Sequence, residues 1–216
     1  MIILAHRGFW HSAGEKNTLG AFERAFAAGY GAELDLRDLN GELVVSHDPP
    51  RRGCLSFAAV LALYRRYGMP GKLAINIKAD GLAAALDAML DEPALRQACF
   101  VFDMSVPDML AYLAHGIPVF TRHSEYEAEP ALLQSTQGVW VDAFTKPWAD
   151  ETRLQDFLAA GKAAALVSPE LHAKPHAEAW TVWRKALRKA SPAATVMLCT
   201  DHPDEAAQFF LEESLR

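Results

Sequence analysis

The sequence predicts an α/β fold, and within that class one closed (β/α)8 TIM barrel over residues 1–216, without a small inserted lobe. Three observations carry this expectation. Short apolar runs alternate with helical patterns from one end of the chain to the other, and strands alternating with helices imply right-handed crossovers and a parallel sheet. Eight such units fit into 216 residues, about 27 apiece, which is the small end of the size range of an eightfold barrel. No linker, low-complexity segment or charge block divides the chain, so a single domain is expected. The competing architecture is the doubly wound open sheet. Its Gly-rich phosphate turn after the first strand is not what "HRGFWHSAG" offers.

The elements follow in order. "IILAH" (2–6) reads as the first strand, and Leu19, Phe22 and Phe26 recur at helical spacing before Gly29 stops the helix. "GAELDLRD" (31–38) is a strand, and Asn40-Gly41 turns it into a small hairpin with "LVVSHD" (43–48). "FAAVLALYRRYG" is a helix that ends at Gly68. The remaining pairs are "LAINIK" with "LAAALDAML", "CFVFDM" with "VPDMLAYLAHG", and "PVFTR" with a weak helix near 129–135. "GVWVDAF" pairs with "ETRLQDFLAAG", "AAALVSPE" with "HAEAWTVWRKALRKA", and "TVMLCTD" with "DEAAQFFLEE". Trp180, Trp183 and Leu187 lie at helical spacing and read as a packing face.

Composition bounds the function. The chain is 51% hydrophobic and 22% charged, with mean hydropathy near zero. Its net charge of −6 argues against a nucleic-acid partner, which would require a basic face. Cys54, Cys99 and Cys199 form no ligand-like cluster, and an odd number suits reduced thiols. "MIILAHRG" lacks the basic start of a signal peptide, and no apolar run approaches a membrane span. A cytoplasmic protein without stable membrane insertion is expected.

Polar residues gather where the strands end: His6-Arg7, Glu33 and Asp35, Asn76 and Lys78, Asp103, Thr121-Arg122, Asp142, Ser168 and Glu170, Thr200-Asp201. In a barrel those ends form the active-site mouth. A helix N-cap or a loop exit accounts for any single one of them. Glu33, Asp35 and Lys78 are harder to explain that way, because they fall within strand periodicity. Side chains alternate along a strand, so Glu33 and Asp35 share a face about 7 Å apart. Two like charges that close need a cation between them or solvent around them. Two carboxylates and the Asn76 amide are hard oxygen donors, suited to Mg²⁺ or Ca²⁺ rather than zinc. Arg7 and Lys78 beside such a metal suit a phosphate oxyanion. His6 and His47 can divide general-base and general-acid work near neutral pH. A salt-bridge network with Lys78 and no metal remains the alternative for the carboxylate pair.

"AHRG" (5–8), "NTLGAFERAFAAG" (17–29), "ELDLRDLNGELVVSHD" (33–48), the "IxIK" strand (75–78) and "CTDHPDE" (199–205) together resemble the glycerophosphodiester phosphodiesterase family. That family belongs to the wider phosphatidylinositol-phospholipase-C-like superfamily. The resemblance is densest over the first 50 residues. It implies a barrel that hydrolyses a small-molecule phosphodiester to an alcohol and glycerol phosphate, with one divalent cation, Mg²⁺ or Ca²⁺. By position, His6 and His47 resemble its acid/base pair, and Glu33 and Asp35 two metal ligands. Arg7 and Lys78 resemble phosphate contacts.

Three departures stand out. Asn76 occupies the position where the family has Glu or Asp as third ligand, which implies weaker metal binding. Asp80 is a candidate to restore the missing charge. The family's contiguous Glu-Asn-Thr is interrupted here as Glu15-Lys16-Asn17-Thr18. The small lobe that many members carry after the third strand is absent, because "INIKADGLAAAL" runs straight into a helix. A more open mouth would admit a lipid headgroup or a glycan-linked phosphate. Two rival functions remain: a barrel that binds phosphodiesters but has lost catalysis, and a metal-dependent sugar-phosphate lyase or isomerase. The second would call for a Schiff-base lysine or a zinc-type histidine cluster, and neither stands out.

Overall fold

Strands and helices alternate along the chain as the apolar pattern predicts. The structure is a computed structural model that describes residues 1–146 and 150–211. The chain groups into two compact units, one formed by Leu4–Val119 and the other by Met1–Ile3 with the residues from Phe120 onward.

The first unit carries four mutually parallel strands. Leu4–His6 of β1 (Ile2–His6) pair β2 (Gly31–Leu39), β2 also pairs β5 (Leu73–Ile77), and β5 pairs β6 (Cys99–Phe102). Between β1 and β2 lies α1 (Leu19–Ala27), whose buried face is Ala21, Phe22, Ala25 and Phe26. Leu19, expected on that face, is 40% exposed instead. The predicted hairpin forms: β3 (Glu42–Val45) runs antiparallel to β2, and β4 (Leu55–Ser56) antiparallel to β3. Asn40 and Gly41 both have positive φ, 53° and 85°, which is the two-residue hairpin geometry that matches strand twist. α2 (Phe57–Arg66) leads into β5. The short α3 (Ala83–Met89) follows at once, so no lobe intervenes. A further helix that the apolar pattern did not reveal, α4 (Pro93–Ala98), precedes β6, and α5 (Val106–Ala114) closes the unit. α4 is too short to show a period, and its only advertisement is Pro93 at a first-turn position.

The second unit repeats the pattern. β7 (Phe120–His123), β8 (Gly138–Val141), β9 (Ala163–Val167) and β10 (Val196–Thr200) are parallel neighbours in that order. α6 (Glu151–Ala159), α7 (Ala177–Leu187) and α8 (Pro203–Leu211) complete it. Near 129–135 only one 3₁₀ turn forms, Leu133–Ser135. Leu132 sits at φ 53°, a left-handed conformation that an α-helix does not contain. Trp180 and Trp183 are buried as the packing face of α7, with Ala186 beside them rather than Leu187. The predicted last helix extends to 213, and its final two positions lie outside the described residues.

Candidate active site

The site is built outward from β2. Leu34 and Leu36 are fully buried on one face, while Glu33 and Asp35 are 2% and 0% exposed on the other. A parallel strand covered on both sides has no solvent to screen its charges. Burial is therefore the first cause that raises the Glu33 carboxyl above the ordinary range, to about 8, and the neighbouring Asp35 is the second.

The neighbouring strands supply the compensating groups. Parallel register sets His6 beside Glu33 and Asn76 beside Asp35. His6 Nε2 lies 4.0 Å from Glu33 Oε2. At the end of β1 the chain turns through left-handed conformations at Arg7 (φ 57°) and Gly8 (φ 85°). A Cβ on Gly8 would sit 2.8 Å from the backbone of Ala21 on α1, so glycine is required for that close approach. The turn folds Arg7 back over the pair. Its backbone N–H donates to Glu33 Oε2 at 3.2 Å, and its Nε lies 2.9 Å from Asp35 Oδ2. Lys78, just past β5, brings Nζ to 3.5 Å from Asp35 Oδ1.

Asn17 completes the group, and its role was not assigned from the sequence. It sits at φ 59°, donates its backbone N–H to the Arg7 carbonyl (2.9 Å), and donates Nδ2 to Asp35 Oδ2 (2.8 Å). Thr18 beside it caps α1, its Oγ1 accepting from Ala21 N at 3.3 Å. The signal was present in the surviving Asn-Thr of the interrupted motif. Glu15 is engaged away from the carboxylate pair, where it accepts from His11 N and pairs with Arg24. Arg37 donates Nε to the His47 carbonyl at 3.1 Å. Asp80, the candidate for the missing charge, is engaged elsewhere and accepts from Ser105 Oγ at 2.6 Å.

The donor set fits a hard divalent cation. Among the described residues, Asn17 Oδ1, Asp35 Oδ1 and Asn76 Oδ1 are buried without a hydrogen-bond partner. Each such oxygen costs about 1–3 kcal/mol if nothing satisfies it. No cluster of three His, Cys, Asp or Glu side chains is placed to hold a metal among the described residues, and here the third oxygen belongs to an amide. Glu33, Asp35 and Asn76 are the residues that could hold the ion.

His47 stands on the wall of an adjoining cavity rather than among the carboxylates. It is half exposed, with Nδ1 2.9 Å from Asp48 Oδ1. Arg7, Lys16, Asn17, Thr18 and Leu19 line the same cavity of about 570 Å³ together with Ser46, His47 and Cys54. Leu19 is thus exposed because it faces this space.

The polar strand ends of the second unit satisfy one another. Thr200 Oγ1 and Ser168 Oγ both donate to Glu170, Asp201 N donates to it at 3.2 Å, and Trp180 Nε1 donates to Ser168 Oγ at 2.7 Å. Asp142 Oδ1 meets His172 Nε2 at 2.7 Å, and Arg122 pairs with Glu127. Glu125 is held down to about 2; burial opposes this, but hydrogen bonds from Thr145 and Phe144 outweigh it. These groups fasten loops.

No protein-family model matches the sequence, and no curated protein does. Solved structures do. A glycerophosphodiester phosphodiesterase from Parabacteroides distasonis matches with a TM-score of 0.76 at 15% identity, over 99% of this chain and 98% of its own. One from Agrobacterium tumefaciens gives 0.71 at 17% identity, over 97% and 98%. A Ca²⁺-dependent phosphatidylinositol-specific phospholipase C from Streptomyces antibioticus gives 0.55 at 14% identity, over 96% and 95%. The chain therefore has the α/β fold of these proteins, with its (β/α)8 order of elements, as the sequence rhythm predicts.

Proposed function

We propose that this chain is a metal-dependent phosphoric diester hydrolase of the glycerophosphodiester phosphodiesterase type. The observation that carries the reading is one buried cluster in which Glu33, Asp35 and Asn76 present oxygens, two of them unsatisfied, beside His6, Arg7 and Lys78. Glu33, Asp35 and Asn76 would hold Mg²⁺ or Ca²⁺, which would supply positive charge against the phosphate. Arg7 and Lys78 neutralise the remaining phosphate charge. His6, with the Glu33 carboxylate behind it, takes a proton from the attacking water as its oxygen bonds to phosphorus. The bond from phosphorus to the alcohol oxygen breaks, and His47 donates the proton that releases the alcohol. The substrate is a soluble small molecule and the enzyme works in the cytoplasm. Among the described residues no helix is long and apolar enough to cross a membrane.

A second reading is a binding protein without turnover, and it has an observation in its favour. Arg7 and Lys78 already flank Asp35, so the acid charge has partners of its own. His47→Ala separates the two readings. Catalysis predicts a loss of at least about 10²-fold in kcat with glycerophosphocholine, with affinity for the diester retained in calorimetry. The loss should be much smaller with bis(p-nitrophenyl) phosphate, whose leaving group needs no proton. Equal turnover by wild type and variant on glycerophosphocholine would remove His47 from the chemistry.

A further inference from the structure

Lys16 is the residue that interrupts the Glu-Asn-Thr motif, and the structure gives that insertion a place. Its side chain lines the cavity that Arg7 and His47 also line. Its ammonium lies 4.3 Å from the centroid of the Trp10 ring, and Trp10 is itself anchored through Nε1 to the His6 carbonyl at 3.1 Å. The charge is thus held at a set position relative to the end of β1 rather than carried on a loose stem.

The lining carries Lys16 as a cation, while Arg7 is held by Asp35 at 2.9 Å. His47 adds an imidazole, and Asp48 is the one carboxylate among the described lining residues. Asp48 is 88% exposed and already turned to His47. Thr18, Ser46 and the Asn17 amide add polar groups, and Leu19, Val45 and Leu55 add apolar ones. A quaternary ammonium calls for open aromatic faces and acids, and at Trp10 the ring is already covered by Lys16. A carboxylate or phosphate finds a fixed cation there instead.

We propose that Lys16 is a specificity residue, and that this cavity takes an alcohol group carrying its own anionic substituent, a carboxylate or a phosphate. The inference rests on the phosphodiesterase reading above, with His47 protonating the alcohol that lies in this cavity. It makes the preferred substrates diesters with a second negative charge on the departing side, and choline esters poor ones.

Glycerophosphoserine and glycerophosphoethanolamine differ by one carboxylate, so the ratio of their kcat/KM values reads the cavity directly. Wild-type protein with Mg²⁺ or Ca²⁺ should prefer glycerophosphoserine by about tenfold, the size of one charge-assisted contact. Lys16→Met should bring the ratio to near one through KM, and Lys16→Glu should reverse it. Arg52→Met, which removes an exposed charge that does not line the cavity, should keep the wild-type ratio. A wild-type ratio at or below one, or a ratio that Lys16→Met leaves unchanged, overturns the proposal. If no diester is turned over with any metal, the phosphodiesterase reading fails separately. Calorimetric binding of the same two diesters to wild type and Lys16→Met then decides the specificity claim on its own, by the same ratio.

Discussion

Asn76 and Asn17 bring oxygen without charge to a pair of buried carboxylates, and each makes a distinct prediction. Asn76 is 8% exposed, its Oδ1 is unsatisfied, and its register partner is Asp35. Asn76→Glu adds a third acid to a desolvated site, so in chelator the variant should melt below wild type. With Mg²⁺ or Ca²⁺ it should recover and bind the ion at least about tenfold more tightly, because ligand charge sets affinity for hard cations. Melting curves and calorimetry check both halves; a variant that metal fails to restore would mean the ion is not held beside Asn76. Asn17 acts through Asp35, to which it donates at 2.8 Å. Removing such a partner costs about 10–100-fold in metal affinity, so Asn17→Ala should show a loss of that order, and Asn17→Gln a partial one. Glu33, Asp35, Asn76 and Lys78 were legible in the sequence because strand alternation assigns them to one face. Asn17 was not, because its approach depends on a left-handed residue in a loop, and no periodicity announces that.

At the level of elements, the site depends on how two of them begin. Thr18 stops the loop that carries Asn17 and starts α1. Thr18→Ala should cost about 1 kcal/mol of stability and also weaken metal binding, whereas a loss of stability with unchanged metal affinity would separate the cap from the site. Gly31 opens β2 where the neighbouring backbone is close: a Cβ there would lie 2.2 Å from the Lys72 carbonyl oxygen. Gly31→Ala should therefore destabilise the protein severely, read as a lowered melting midpoint or insoluble expression. The strands and longer helices were legible from apolar spacing, and the Asn40-Gly41 turn from its chemistry. α4 and the turn near 133–135 were not, because segments of six residues or fewer carry too little period to separate helix from loop.

For the molecule as a whole, the buried pair makes stability depend on pH. Glu33 ordinarily titrates near 4.5 and in the folded chain near 8, so between those values the folded state holds a proton that the unfolded state has released. Stability of the metal-free protein should accordingly be full below the lower value and fall as pH rises through the upper one. Glu33→Gln should flatten that decline in denaturant titrations at successive pH values, and a slope shared by both proteins would assign it elsewhere. If this cluster is the metal centre of a phosphodiesterase, it should show in the hydrolysis of glycerophosphoserine and bis(p-nitrophenyl) phosphate with Mg²⁺, Ca²⁺, Mn²⁺ or EDTA, for wild type beside Asn76→Glu. Turnover by wild type that EDTA abolishes is the predicted result. A wild type silent with every metal, beside an active Asn76→Glu, would contradict it and leave a binding protein with the fold of an enzyme.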